Sequence, residues 1–320
     1  MNDTMETSEI STEEGLKVNK GKDGVRAAVY LVFVFVLTYL YEWFFVIKYL
    51  KDNPGDNIAS ISFRVAFAMF IPALSVVLTR LFTQEGFKGS YINFKVNDGK
   101  YRYYLMAWFS PAVFISLGAV LYFLIFRDDF STGMEYIIGV YAKQGVSGIT
   151  PSQMRSTAIQ QFITAILLGP ILNCITCFGE EWGWRGYLLI KLKDRLKPLP
   201  LMLVMGVIWG LWHMPLTVMG HNYGTEYAGY PYLGIAAMIV FCFAVGTLFA
   251  FVTMKTDSCI PAVIGHGAFN SLAAIGIFFT TSGGKLLYGP STAGLISVIP
   301  LLIFAVILIR LMDKDEEKEK

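Results

Sequence analysis

What most constrains this chain is a series of apolar stretches, each about as long as a bilayer is thick. A hydrocarbon core of about 30 Å takes about 20 apolar residues wound as a helix. Eight stretches meet that measure, at 27–50, 60–82, 103–126, 158–190, 200–220, 232–254, 258–280 and 290–312. Only 16% of the 320 residues are charged and 55% are hydrophobic, too little polar surface for a water-soluble domain of this length. The expected fold is therefore an all-α polytopic membrane bundle of about eight transmembrane helices. The first and eighth stretches are almost featureless and read as lipid-facing. The fifth and seventh carry polar residues and read as bundle interior.

The organisation follows from that series. Residues 1–26 form an acidic tail expected to be disordered and cytoplasmic, 27–312 the single bundle, and 313–320 a charged C-terminal tail. About 25 mostly polar residues before the first apolar run argue against a cleavable signal peptide. A polar segment at 127–157 lies between the third and fourth stretches. With the N-terminus inside, 18 lysines and arginines fall on inner segments and seven on outer ones, which puts both termini in the cytoplasm. The net charge is +2 with no basic stripe, so nucleic acid is not an expected partner. Membrane lipid is. The four cysteines all lie in apolar stretches, which argues against a secreted disulfide framework. Cys174 and Cys177, one helical turn apart, read as packing, and His221 as a solvated loop residue. The tryptophans and tyrosines near span ends, as in YLYEWFF, read as interfacial belts.

Charges inside the apolar stretches are the exception that needs a reason. A charged side chain at mid-bilayer costs about 2.5–3.5 kcal/mol, so such residues face a partner or a cavity. The fourth stretch ends in CFGEEWGWRG, with Glu181 and Arg185 four apart on one helix face and Glu180 turned elsewhere. Alone, this could be an ion pair with an acid reaching for the interface. The fifth stretch adds His213 in VIWGLWHMP, followed by the helix-loosening Pro215. The seventh adds His266 and Asn270, four apart, with Gly265 and Gly267 permitting close helix approach. A carboxylate, two imidazoles and an amide at matched depth make a candidate site. Glutamate and histidine can activate water as a general base or, with a metal, polarise it. Histidine and asparagine can donate to the oxyanion of a tetrahedral intermediate.

The ordered set Glu180-Glu181-x-x-x-Arg185, Trp209-x-x-x-His213 and His266-x-x-x-Asn270 resembles the CPBP (CAAX protease and bacteriocin-processing, or Abi) family. The resemblance covers about residues 155–280 and includes the type II CAAX prenyl endopeptidases among its relatives. It implies an intramembrane endopeptidase acting on a peptide or lipidated protein. In that role Glu180 and His213 activate water, His266 and Asn270 stabilise the oxyanion, and Glu181 and Arg185 orient them. The family often has Phe where Trp209 stands. It is often labelled metallo, although a metal-free glutamate mechanism has also been argued. Were a metal such as zinc bound, Glu180, His213 and His266 would be its ligands, yet no HExxH is present. A non-catalytic scaffold, giving bacteriocin immunity or modulating a sensor kinase, is the alternative. A proton-relaying transporter is disfavoured, because the strongest polar residues lie toward one side.

Overall fold

The structure is a computed structural model that describes residues 3–53 and 58–319, with side chains over 22–53 and 62–317. Much of the expected tail at 1–26 lies outside the described side chains. Among the described residues the chain is all-helical, and its single β contact is an isolated bridge between Phe130 and Thr280.

Among the described residues five helices are long and apolar enough to cross a membrane: α1 (Lys22–Asp52), α2 (Ser62–Phe82), α3 (Tyr101–Ile125), α7 (Tyr232–Thr256) and the span that begins with α8 (Ile260–Leu272). Between α3 and α7 stand α4 (Pro151–Leu172), α5 (Cys174–Leu192) and α6 (Pro198–Trp212), and α9 (Ile299–Glu319) closes the chain. The count of eight spans is not confirmed: by length and composition the described residues give five, or six if α4 and α5 are one broken span. The physical reasons are local. α6 has 15 residues, short of a full crossing. The apolar half of α9 gives way to the charged run DKDEEKE. The overlong fourth stretch is two helices bent by 58°. Pro170 removes an amide donor one turn before the break, and Asn173 sits in it, donating to Gly169 O (3.0 Å) and Ser271 Oγ (2.8 Å).

α7 is apolar around its whole circumference and is the most buried of the spans, with 67% of its apolar window inside the protein against 28% for α1. It packs against α6, α9 and α8, while α8 also packs against α3, α4 and α5. At Gly267 a β carbon would stand 3.0 Å from the Pro170 backbone, so this contact between α8 and α4 is close enough that a side chain there would press the two helices apart. α1 is largely exposed, as a lipid-facing helix should be, but one stripe of it is inside: Tyr30, Val34, Thr38 and Glu42 are fully buried. Trp212 Nε1 donates to Thr38 Oγ1 (2.7 Å) and the Tyr39 hydroxyl to Leu211 O (2.7 Å), which fastens α1 to the end of α6.

Candidate active site

The site lies where α5, α6 and α8 meet. α5 is α-helical through Gly183 and then opens into a π-helical turn, Trp184–Leu188, which includes Arg185. Such turns widen a helix by one residue and recur at functional sites. α6 ends at Trp212, and His213 caps it before the short helix Met214–Val218, whose first turn holds Pro215. The expected loosening at Pro215 thus takes the form of a helix end at His213.

Glu180, Glu181 and Arg185 are all buried. Arg185 Nη1 donates to Glu181 Oε1 (3.0 Å), and His266 Nδ1 lies 2.8 Å from the same oxygen. Two nitrogens converging on one carboxylate oxygen form a buried hydrogen-bonded triad across α5 and α8. With its Nδ1–H directed at a carboxylate, the His266 ring presents Nε2 on its opposite side. Glu180 is turned the other way and accepts from Trp209 Nε1 (3.0 Å).

Trp209 is the hub of the arrangement. Its ring centre lies 5.7 Å from that of His213 and 5.7 Å from that of His266. The Arg185 guanidinium sits over the indole at 4.1 Å, a cation–π contact in a dry environment. The Trp209 carbonyl stands 2.9 Å from His213 Nδ1. A carbonyl can only accept, so His213 carries its proton on Nδ1, and Nε2 keeps the lone pair that can receive a proton. Phe249 stacks on His266 at 5.7 Å and completes an apolar wall.

The sequence-predicted residues are thus brought together unequally. Glu180, Glu181, Arg185, His213 and His266 converge around Trp209. Asn270 stands at the rim: it is exposed, and its amide contacts Cys177 Sγ at 3.7 Å. Among the described residues, no three His, Cys, Asp or Glu side chains are placed to hold one metal ion. Glu180, His213 and His266, the ligands expected were a metal bound, form no such group as their side chains stand here. Cys174, Cys177, Cys242 and Cys259 are free thiols. His221 is exposed in the loop after Met214–Val218, and Asp257 belongs to the turn after α7, pairing with Lys100 at 3.0 Å.

Two residues escape the sequence reading. The motif offers Trp209 only as an aromatic, whereas its indole N–H is what engages Glu180. Glu42, which stands among the aromatic residues of an expected interfacial belt, is fully buried. A signal for it is present in the chain, since no other charged residue lies between Arg26 and Lys48.

Residues 159–272 match the family model for type II CAAX prenyl endopeptidase Rce1-like proteins. All six predicted site residues fall within those limits. A CAAX prenyl protease 2 from Methanococcus maripaludis is 38% identical over 47 residues. That alignment spans 15% of this chain and 17% of the relative, so the likeness is to a short stretch of that protein. Over residues 159–272 the chain is thus similar to type II CAAX prenyl endopeptidase Rce1-like proteins, and with its long apolar helices it is an integral membrane protein.

Proposed function

We propose that this chain is an intramembrane endopeptidase that hydrolyses a peptide bond of a membrane-associated or prenylated substrate. Glu180, assisted by His213 Nε2, takes a proton from water as the water oxygen bonds to the substrate carbonyl carbon. His266 Nε2, protonated and balanced by Glu181, and the Asn270 amide donate to the oxyanion that forms. Collapse of that intermediate breaks the C–N bond, and the proton held by Glu180 passes to the departing amine. Both termini face the cytoplasm in this reading.

The observation that carries it is the division of labour between two adjacent acids. Glu181 is committed to Arg185 and His266, whereas Glu180 has one neutral indole donor and retains acceptor capacity for a water. A purely structural pair of acids would be expected to share its cations. The fixed Nδ1–H tautomer of His213 supports the same reading, because it presents a basic nitrogen. No step here runs through a metal.

The test uses purified full chain in detergent with internally quenched peptides, farnesylated CAAX and unmodified, with and without a chelator. Removing a positioned general base typically costs about 10²–10⁴-fold, so Glu180→Ala and His213→Ala should each lose cleavage by about that much while keeping the wild-type melting temperature. Equal cleavage by wild type and variants would mark a contaminating activity and turn the reading toward a non-catalytic scaffold. Loss of activity with chelator and recovery with zinc would overturn the metal-free form of the mechanism.

A further inference from the structure

Glu42 has no role in the chemistry above, yet it is fully buried and neither of its carboxyl oxygens has a hydrogen-bond partner. It opens a second π-helical turn, Glu42–Ile47, which interrupts α1. A buried carboxyl group without donors is expensive, and π turns in the middle of helices recur at functional positions. Three other buried polar groups near this helix share the condition. Tyr30, Val34, Thr38 and Glu42 recur every four residues and form the one inward stripe of α1. The Tyr30 hydroxyl also lacks a partner, and it lies so close to α5 that a β carbon on Gly183 would overlap it. Facing Tyr30 edge-on at 5.9 Å is Trp184, whose indole N–H is likewise unpartnered. At the other end Thr217 Oγ1, buried and unpartnered, belongs to the short helix that packs on the π turn of Glu42.

The Tyr30 hydroxyl thus meets α5 at Gly183, within one turn of Glu180. Unsatisfied polar atoms therefore stand at both ends of the stripe, at Tyr30 beside α5 and at the Glu42 turn, with Val34 and the Trp212-bonded Thr38 between them. Buried polar groups in this number are satisfied by bound water or by polar groups of a ligand. Hydrolysis inside a bilayer needs a water supply that lipid does not provide.

We propose that the inward stripe of α1 is a water-binding track, with Glu42 as the positioning residue that anchors it and water as the reactant it brings to Glu180. The catalytic part of this inference rests on the hydrolase reading; the hydration of the track does not.

X-ray hydroxyl-radical footprinting of the full chain in detergent separates the two, because radicals form from water bound beside the labelled side chain. Tyr30 and Trp184 should be labelled in wild type although both are fully buried. Glu42→Leu should cut that labelling about tenfold, the loss that follows when an anchoring site weakens by about 1.4 kcal/mol, with the exposed Tyr101 unchanged. Glu42→Gln, still able to hold water, should stay near wild type. Tyr30→Phe, read on Trp184, serves as a second probe should Glu42→Leu fail to fold. In the peptide assay Glu42→Leu should lower kcat about tenfold at constant KM, with rescue by Gln. Unlabelled Tyr30 and Trp184 in wild type, or labelling indifferent to Glu42→Leu, would overturn the track. A labelled track in a chain that cleaves no peptide would leave the water site standing and sink the hydrolase reading.

Discussion

At the scale of single residues, Trp209 makes more contacts within the site than an aromatic ring alone would. Its N–H donates to Glu180, its carbonyl sets the tautomer of His213, and its face carries the Arg185 cation. Phenylalanine would keep the carbonyl and the aromatic face and lose only the donor. A hydrogen bond to a charged group is worth about 1.5–3 kcal/mol, so Trp209→Phe is expected to lower kcat/KM about tenfold to a hundredfold with little change in the fold. Equal kcat/KM for the wild type and Trp209→Phe would dismiss the donor's role. Arg185 is the opposite kind of residue. Its loss leaves Glu181 buried with His266 as its remaining partner. Breaking a buried pair on one side costs about 3–5 kcal/mol, so Arg185→Leu should lower the thermal unfolding midpoint well before any question of catalysis arises. An unfolding midpoint matching that of wild type would show that the pair adds nothing to stability.

At the scale of elements, the bend between α4 and α5 decides where the acids stand. Pro170 and Asn173 turn the chain by 58°, and the contact of Gly267 with the Pro170 backbone seats α8 in the angle. His266, next in sequence to that glycine, then meets Glu181. A side chain at position 267 must push the two helices apart. Overpacking of this kind costs about 1–3 kcal/mol, and Gly267→Val is expected to lose that much stability together with peptide cleavage, measured by thermal unfolding and by the quenched-peptide assay. Gly265, the other glycine beside His266, meets the edge of the Phe249 ring first. A ring can shift, so Gly265→Ala should be the milder change of the two.

At the scale of the whole molecule, ion pairs gather at the helix ends that the basic-residue count assigns to one side. Lys191 at the end of α5 pairs with Asp23 at the start of α1 (2.8 Å) and with Glu85 after α2. Lys100 pairs with Asp257 (3.0 Å), and Lys255 with Asp315 in α9. These segments therefore share one end of the bundle, while Lys48, Asp129 and Thr281 belong to segments predicted for the other. Which end meets the cytoplasm is a prediction from the excess of lysine and arginine. Single cysteines introduced at Lys193 and at Ser282, in a background with the four native cysteines replaced, should label from opposite sides of a sealed vesicle, with position 193 on the cytoplasmic side. Labelling of both from one side would refute the layout.

Much of this protein was legible in its sequence. Apolar stretches matched to bilayer thickness determined an all-helical membrane fold, because a backbone in lipid must satisfy its own hydrogen bonds. Charges stranded in those stretches pointed to Glu180, Glu181, Arg185, His213 and His266, since each is costly there without a partner. The four-residue spacing of Glu181 and Arg185 foretold their pairing. Length and composition could not tell a straight span from two helices broken at Pro170, nor a crossing helix from the 15 residues of α6. They also gave no means to tell which face of α1 turns inward, so Glu42 stood out as a lone charge between Arg26 and Lys48 without its burial being legible. Only the tertiary structure decided that Trp209 would bridge an acid and two histidines, that Asn270 would stand at the rim, and that the stripe of Tyr30 and Glu42 would be buried beside Glu180. Pattern along a chain reports what each residue needs, whereas the partner that meets the need comes from another helix, and packing alone brings the two together.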